Sequence, residues 1–256
     1  MPIKLKNLSV EQTKELLPDN LILLGYRGSI AHGTYVPNSK PNSIDDKDIQ
    51  GVYIAPIEHY FGLKHYDFKE KFIGEWDAVS YELKKFVSLL LKGNPNVLGL
   101  LWLDDKHYIH KTAHGQMLIN HRDIFISKKI YHSFTGYAWG QFSRMTHYKF
   151  EGYMGEKRKA LVDKYGYDCK NASHLVRLLE MGIEIMTEGK IYVERPNAQK
   201  LLSIKNGEWS LEQVKKEAHR LFEIAHETYI KSTLPNEPDY GKVEALLIDI
   251  LKKEAL

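Results

Sequence analysis

Asp46 and Asp48 stand two residues apart in the run Asp45-Asp46-Lys47-Asp48-Ile49-Gln50-Gly51-Val52-Tyr53-Ile54, which turns apolar after its acids. Along a strand side chains alternate faces, so Asp46 and Asp48 are expected to point the same way. Asp45 would then share the opposite face with Lys47, where a solvated, salt-bridging role suffices. Neighbouring carboxylates repel each other, and a hard divalent cation such as magnesium, itself held by phosphate oxygens, relieves that repulsion. The alternative is a solvated acidic turn. A calcium loop is discounted, because the Asp-x-Asp-x-Asp-Gly spacing with its distal Glu is missing. Upstream, residues 21–24 form an apolar run of strand type, broken by Gly25 and Gly28. Gly28-Ser29 offers free N–H groups and a hydroxyl at the start of a short helix, a setting that favours an anion. Taken alone, such a pair is also an ordinary turn.

The remaining elements must position these residues. Residues 9–17 predict a short helix with Ser9 as N-cap and Glu11 or Gln12 early in its first turn; Pro18 stops it. Residues 65–74 suit a half-buried strand or hairpin, and residues 75–80 a strand running into a helix over 81–92. In that helix Leu83, Phe86, Val87, Leu90 and Leu91 fall on one stripe. Asn94 reads as an N-cap before Pro95, and residues 97–103 as a buried core helix. Residues 104–127 carry His107, His110, His114 and His121, but Lys111 and Gly115 argue for irregular structure.

The second half is expected to be helical: 128–150, a break at Gly152–Gly155, a short helix to Tyr165, then 168–187 closed by Gly189, a short strand at 190–194, a helix from Ser210 and a last one over 242–251. Its candidate basic groups are Lys157, Arg158, Lys170, His174 and Arg177. Lys170, His174 and Arg177 fall at i, i+4 and i+7, one stripe of a helix whose other face is apolar. A solvated face is the plainer reading of that stripe.

Composition sets the bounds. The 256 residues suffice for one large domain or two small ones, and 43% hydrophobic with 27% charged residues exclude global disorder. A net charge of +3 neither demands nor excludes nucleic acid. The single cysteine rules out an internal disulfide and a cysteine-based zinc site. No signal-peptide pattern opens the sequence, and the longest clean apolar run is far too short to span a bilayer. A soluble, cytoplasmic protein is expected.

Gly28-Ser29, Gly33-Thr34, Asp46-x-Asp48 and Gly51-Val52 together resemble the DNA polymerase beta-type nucleotidyltransferase superfamily. Within it the chain is most similar to the group associated with RNA repair. The likeness extends over roughly residues 20–250, through Tyr81-Glu82-Leu83 with Lys85-Phe86, Asn94-Pro95-Asn96, Tyr165-Gly166-Tyr167 with Lys170, His174-Leu175 with Arg177-Leu178, Gly189 and Leu234-Pro235. Two departures stand out: a long loop between Ser29 and Asp46, and Gly99 where an acidic residue is expected.

The resemblance implies an α+β fold, a small mixed β-sheet with flanking helices followed by a mainly helical C-terminal part. The catalytic core would span 1–105, with 106–256 completing the cleft. It further implies transfer of a nucleoside monophosphate from a nucleoside triphosphate, with Mg2+ (or Mn2+) held by Asp46, Asp48 and a third acid. Asp77, on the strand before the 81–92 helix, is the expected third acid and Glu75 its rival. Gly28 and Ser29 would hold phosphates, and Arg158, Lys170, His174 and Arg177 would neutralise them. The acceptor, RNA or tRNA among others, the base and the oligomeric state stay open. A nucleotide sensor and a toxin-like transferase modifying tRNA or protein are the rival readings.

Overall fold

The apolar runs flanking the acidic segment pair with each other as strands, and the rest of the chain is built around that pair. The computed structural model describes residues 3–37, 45–146 and 156–255. In chain order these form α1 (Val10–Leu16), β1 (Leu21–Tyr26), α2 (Gly28–Ala31), β2 (Lys47–Tyr53), α3 (Ile57–Phe61), β3 (Phe68–Ile73), β4 (Trp76–Glu82), α4 (Leu83–Leu91) and α5 (Pro95–Leu98). There follow β5 (Tyr108–Lys111), α6 (Ala113–Asn120), α7 (Lys129–Thr146), α8 (Glu156–Tyr165), α9 (Cys169–Glu188), α10 (Ala198–Lys205), α11 (Leu211–Lys231) and α12 (Tyr240–Ala255). The architecture is the α+β type expected: a mixed five-stranded sheet, order β3-β4-β2-β1-β5, with flanking helices and a helical C-terminal part.

β1 runs antiparallel to β2, and β2 runs parallel to β4, which sets Asp48 directly beside Asp77. One sheet face is closed by α1 over Leu21, Leu24, Ile49 and Trp76. The other puts Leu23 and Val52 into the main core together with Leu83 and Phe86 of α4, continuous with Phe134, Leu175 and Leu179 of the helical layer. Each such side chain, moved from water to the interior, contributes on the order of 1.5–3 kcal/mol before chain entropy is set against it. In that layer α9 is central, with α7, α10 and α11 packed around it.

Several local expectations hold. Ser9 caps α1 in a capping box with Gln12, Asn94 caps α5 with Pro95 in its first turn, and Gly189 ends α9 at a left-handed φ of 71°.

Others need correction. The 81–92 helix starts at Leu83, because Tyr81 and Glu82 still pair in the sheet and Glu82 becomes the N-cap through Lys85 N–H. The core helix over 97–103 is two short pieces, α5 and a 3₁₀ turn at Gly99–Trp102. Residues 104–127 are not irregular. Tyr108–Lys111 add an edge strand to β1, and α6 follows it. Gly115 allows the close approach of α6: a Cβ there would overlap the carbonyl oxygen of Ile22. Residues 190–194 form no strand. Ile191 and Val193 are buried, but a Glu184 carboxylate oxygen accepts the Tyr192 N–H at 3.3 Å, so no ladder partner is met. The end of the 128–150 helix, the Gly152–Gly155 break and most of the loop before Asp46 lie outside the described residues.

Candidate active site

β1 ends where its chain must turn away from β2, and the turn is made by Arg27 and Gly28. The Arg27 N–H donates to the carbonyl oxygen of Asp48 at 3.0 Å, which fixes the turn against the acidic strand. Gly28 has φ 60°, and a Cβ there would overlap the Asp48 carboxylate. Both the backbone angle and the close approach call for glycine. The short helix α2 then begins, with Ser29 half-buried inside it; the Ser29 carbonyl accepts the Thr34 N–H at 2.8 Å.

Asp48 and Asp77, neighbours across β2 and β4, face the same guanidinium. Arg27 Nη2 donates to Asp77 Oδ2 at 3.0 Å and lies 3.9 Å from Asp48 Oδ1. Burial pushes the Asp48 carboxyl up to about 6 despite Arg27 and Lys170; Asp77 and Asp46 push it the same way. Asp46 is exposed and precedes the strand, close enough to act on Asp48. Glu75, the rival third acid, sits in the β3–β4 turn and pairs with Lys47. Asp45 is not solvated either. It is buried, accepts the Val36 N–H at 2.9 Å, pairs with Lys205, and has Lys170 at 3.8 Å.

Opposite the acids, α9 presents the predicted basic stripe. Arg27, Gly28, Asp48, His174 and Arg177 line one cavity of about 260 Å³, with Pro95, Leu100, Leu103 and Met181 as its apolar wall. Arg177 Nη1 contacts Met181 Sδ at 3.1 Å, and among the described residues no carboxylate forms an ion pair with it. Burial and the nearby Arg195 bring its guanidinium down to about 9, so it stays protonated at neutral pH. His32, also on the cavity wall, is held neutral: burial and the charges of Arg177, His174 and Arg195 lower it well below the usual imidazole value. Its Nδ1 lies 2.9 Å from the Val193 carbonyl oxygen, which can only accept, so Nε2 is left as an acceptor.

Lys170 reaches Asp45 and acts on Asp48 rather than lining the cavity. Ser29 is not on the wall either. Lys157 and Arg158 fall on α8, and their side chains lie outside the described residues. Sequence reasoning missed Arg27 and His32. A cation placed at a strand end, next to Gly-Ser and two strands away from a lone acid, was the available signal for the first.

The acids fit a hard divalent cation by donor type, all oxygens, with Asp48 and Asp77 side by side in register. They are not drawn into one cluster. Among the described residues the group of three whose ligand atoms all lie within 4.8 Å is Asp104, His107 and Glu194, none of them on the cavity wall, and there Lys106 already pairs with Glu194.

A protein of Methanocaldococcus jannaschii described as uncharacterised is 32% identical over 129 residues, 48% of this chain and 49% of that protein. The chain thus spans about half the length of this curated relative. A nucleotidyltransferase-like protein of Exiguobacterium sibiricum aligns over 94% of this chain and 77% of its own, at 9% identity and a TM-score of 0.30. The RNA repair pathway DNA polymerase beta family matches residues 4–249. With nearly its whole length matched, the chain belongs to the RNA repair pathway DNA polymerase beta family.

Proposed function

We propose that the chain is a nucleotidyltransferase that moves a nucleoside monophosphate from a nucleoside triphosphate to a hydroxyl or phosphate acceptor. The observation that carries this is one cavity with Asp48 on its sheet side, Asp77 beside it through Arg27, and on its helix side Arg177, which has no carboxylate ion pair among the described residues. A metal-complexed triphosphate has charges that match both walls. The family membership supports transfer chemistry.

Asp48 and Asp77, with Asp46 at the rim, would hold Mg2+ or Mn2+. When bound, that ion supplies charge stabilisation at the transferring phosphoryl group. The Gly28 turn lets phosphate oxygens approach the backbone, and Ser29 adds donors at the start of α2. Arg177 and His174 face the phosphates from α9, with Lys170 further out; Arg158 of α8 is the remaining cation of the proposed set. The acceptor oxygen attacks the α-phosphorus, the α–β bridge breaks, and pyrophosphate leaves toward these cations. Asp77 can draw the acceptor's proton. At about 260 Å³ the cavity is smaller than a typical whole-ligand site, so it takes part of the nucleotide and the rest lies on the open side.

RNA or tRNA is the proposed acceptor, in line with the family's description. The division into a 1–105 core and a 106–256 helical part, and a cytoplasmic location, belong to the same proposal. No described helix is long and apolar enough to cross a membrane. The test incubates protein with each labelled nucleoside triphosphate, Mg2+ or Mn2+, and total RNA or lysate protein. Label should pass to the RNA fraction and be lost in Asp48→Asn. Nucleotide binding without transfer would instead make the chain a sensor, and label in protein would identify a protein-modifying transferase.

A further inference from the structure

Arg27 is fixed at its backbone and poorly held at its head. Its N–H is tied to Asp48, and its Nη2 makes one good hydrogen bond, to Asp77 at 3.0 Å. The distance to Asp48 Oδ1, 3.9 Å, is an ion-pair separation and not a hydrogen bond. Its Nε is buried and has no hydrogen-bond partner among the described residues. A guanidinium in a fork-to-fork pair uses two nitrogens on one carboxylate, and a buried donor left unmatched weakens the arrangement. Arg27 is thus a full positive charge at two metal-type carboxylates without the geometry that would lock it there.

A divalent cation on these two carboxylates would stand close to the guanidinium, and two cations brought near contact repel each other. We propose that Arg27 is an internal counter-ion that yields Asp48 and Asp77 to the metal and turns into the cavity, where nucleotide phosphates give it new acceptors. The inference rests on the nucleotidyl-transfer reading of this site. It makes metal and nucleotide mutually dependent: the metal releases Arg27, and the phosphates stabilise the released position that keeps the acids open. Coupling of this kind is reciprocal and is worth roughly 5–150-fold in affinity. The cavity provides the second position, since Arg27 lines it together with Gly28, His174 and Arg177.

The experiment titrates Mn2+ by electron paramagnetic resonance into full-length wild type and Arg27→Met, without nucleotide and with a non-hydrolysable α,β-methylene triphosphate. Arg27→Met should bind Mn2+ alone about tenfold tighter than wild type, and the analogue should add less to its Mn2+ affinity than it adds to the wild type's. A merely structural Arg27 would change the melting temperature and leave the nucleotide-free Mn2+ affinity equal or weaker, which overturns the proposal. A second reading uses wild type alone, in case Arg27→Met does not fold. The Nε–H resonance of Arg27 should shift with Mg2+ at the same midpoint as metal binding, and a signal unmoved at saturation overturns the proposal. If wild type binds no Mn2+ even with the analogue, the transferase reading and this inference fall together. If it does bind but Arg27→Met binds no tighter, only the inference fails.

Discussion

Replacing Asp48 by Asn should make the protein inactive and more stable at neutral pH. Burial and the neighbouring acids raise the Asp48 carboxyl from 3.8 to about 6. A rise of roughly two units at 1.36 kcal/mol each puts the cost of ionising it in the folded protein at no more than about 3 kcal/mol. Its side chain is 27% exposed, so solvent screening leaves about 1–2 kcal/mol as the expected gain. Asn keeps the shape, and Arg27 keeps Asp77 at 3.0 Å, so no charge is stranded. The sign follows from proton counting. Between pH 4 and 6 the native state holds more of this proton than the unfolded chain, so stability falls as pH rises through that window and is flat above it. The Asn variant does not titrate there, so its advantage should be full at pH 7.5 and absent near pH 4. Urea unfolding followed by circular dichroism, in EDTA to exclude stabilisation by bound cations, reads this directly. A variant less stable than wild type at pH 7.5, or one with the same gain at pH 4, refutes the reasoning.

Gly28→Ala should lose about 1–3 kcal/mol in the same assay and nearly all transfer activity, because the left-handed φ and the overlap with Asp48 act together. Lys205→Met should cost about 1–3 kcal/mol, since it takes the nearest cation from the buried Asp45 carboxylate and leaves it Lys170 at 3.8 Å and the Val36 N–H; the double variant with Asp45→Asn should recover most of that loss, measured by thermal melting. Arg177→Lys should raise the nucleotide KM about tenfold with the fold intact, because an ammonium cannot replace a planar fork facing phosphates; steady-state kinetics against nucleotide concentration check it.

What could be read from the residues was what local periodicity encodes. The 3.6-residue stripe of α9 and the apolar run of β1 need no distant partner to be recognised, and both stand as expected. Asp77 was reachable because a strand running into an amphipathic helix has a local pattern. The pairing that matters, Asp48 beside Asp77 in parallel register, is set by the crossover between β2 and β4 and leaves no trace in either strand alone. Asp45 was misread as solvated because its partner Lys205 lies 160 residues away. The edge strand Tyr108–Lys111 was missed because its few residues are half-exposed, so burial gives no alternation; the ladder with Leu23–Gly25 makes the strand. Residues 190–194 had the composition of a strand and found no edge to join.

The cleft is set from outside the chemistry. The loop leaving α2 is tied to the helical part at two points. Above Asp45, Lys205 bonds both that carboxylate and the Thr34 carbonyl oxygen, the latter at 3.0 Å. Along the other edge, the His32 carbonyl accepts the Arg195 N–H at 3.3 Å, while His32 Nδ1 donates to the Val193 carbonyl at 2.9 Å. Arg195 is itself clamped by both oxygens of Glu184, at 2.8 and 2.6 Å, on the same helix that carries Arg177. The distance between the sheet acids and the α9 cations is therefore held by buried ion pairs that touch no proposed substrate. A charge pair buried this deeply adds little net stability against an apolar replacement, but losing one partner is costly. Such pairs are better understood as fixing position than as strengthening the fold, and here the position fixed is the spacing of two oppositely charged walls. Loosening Glu184 or Lys205 should accordingly blur nucleotide affinity before it abolishes folding, because preorganised charge loses its advantage once the walls can drift apart.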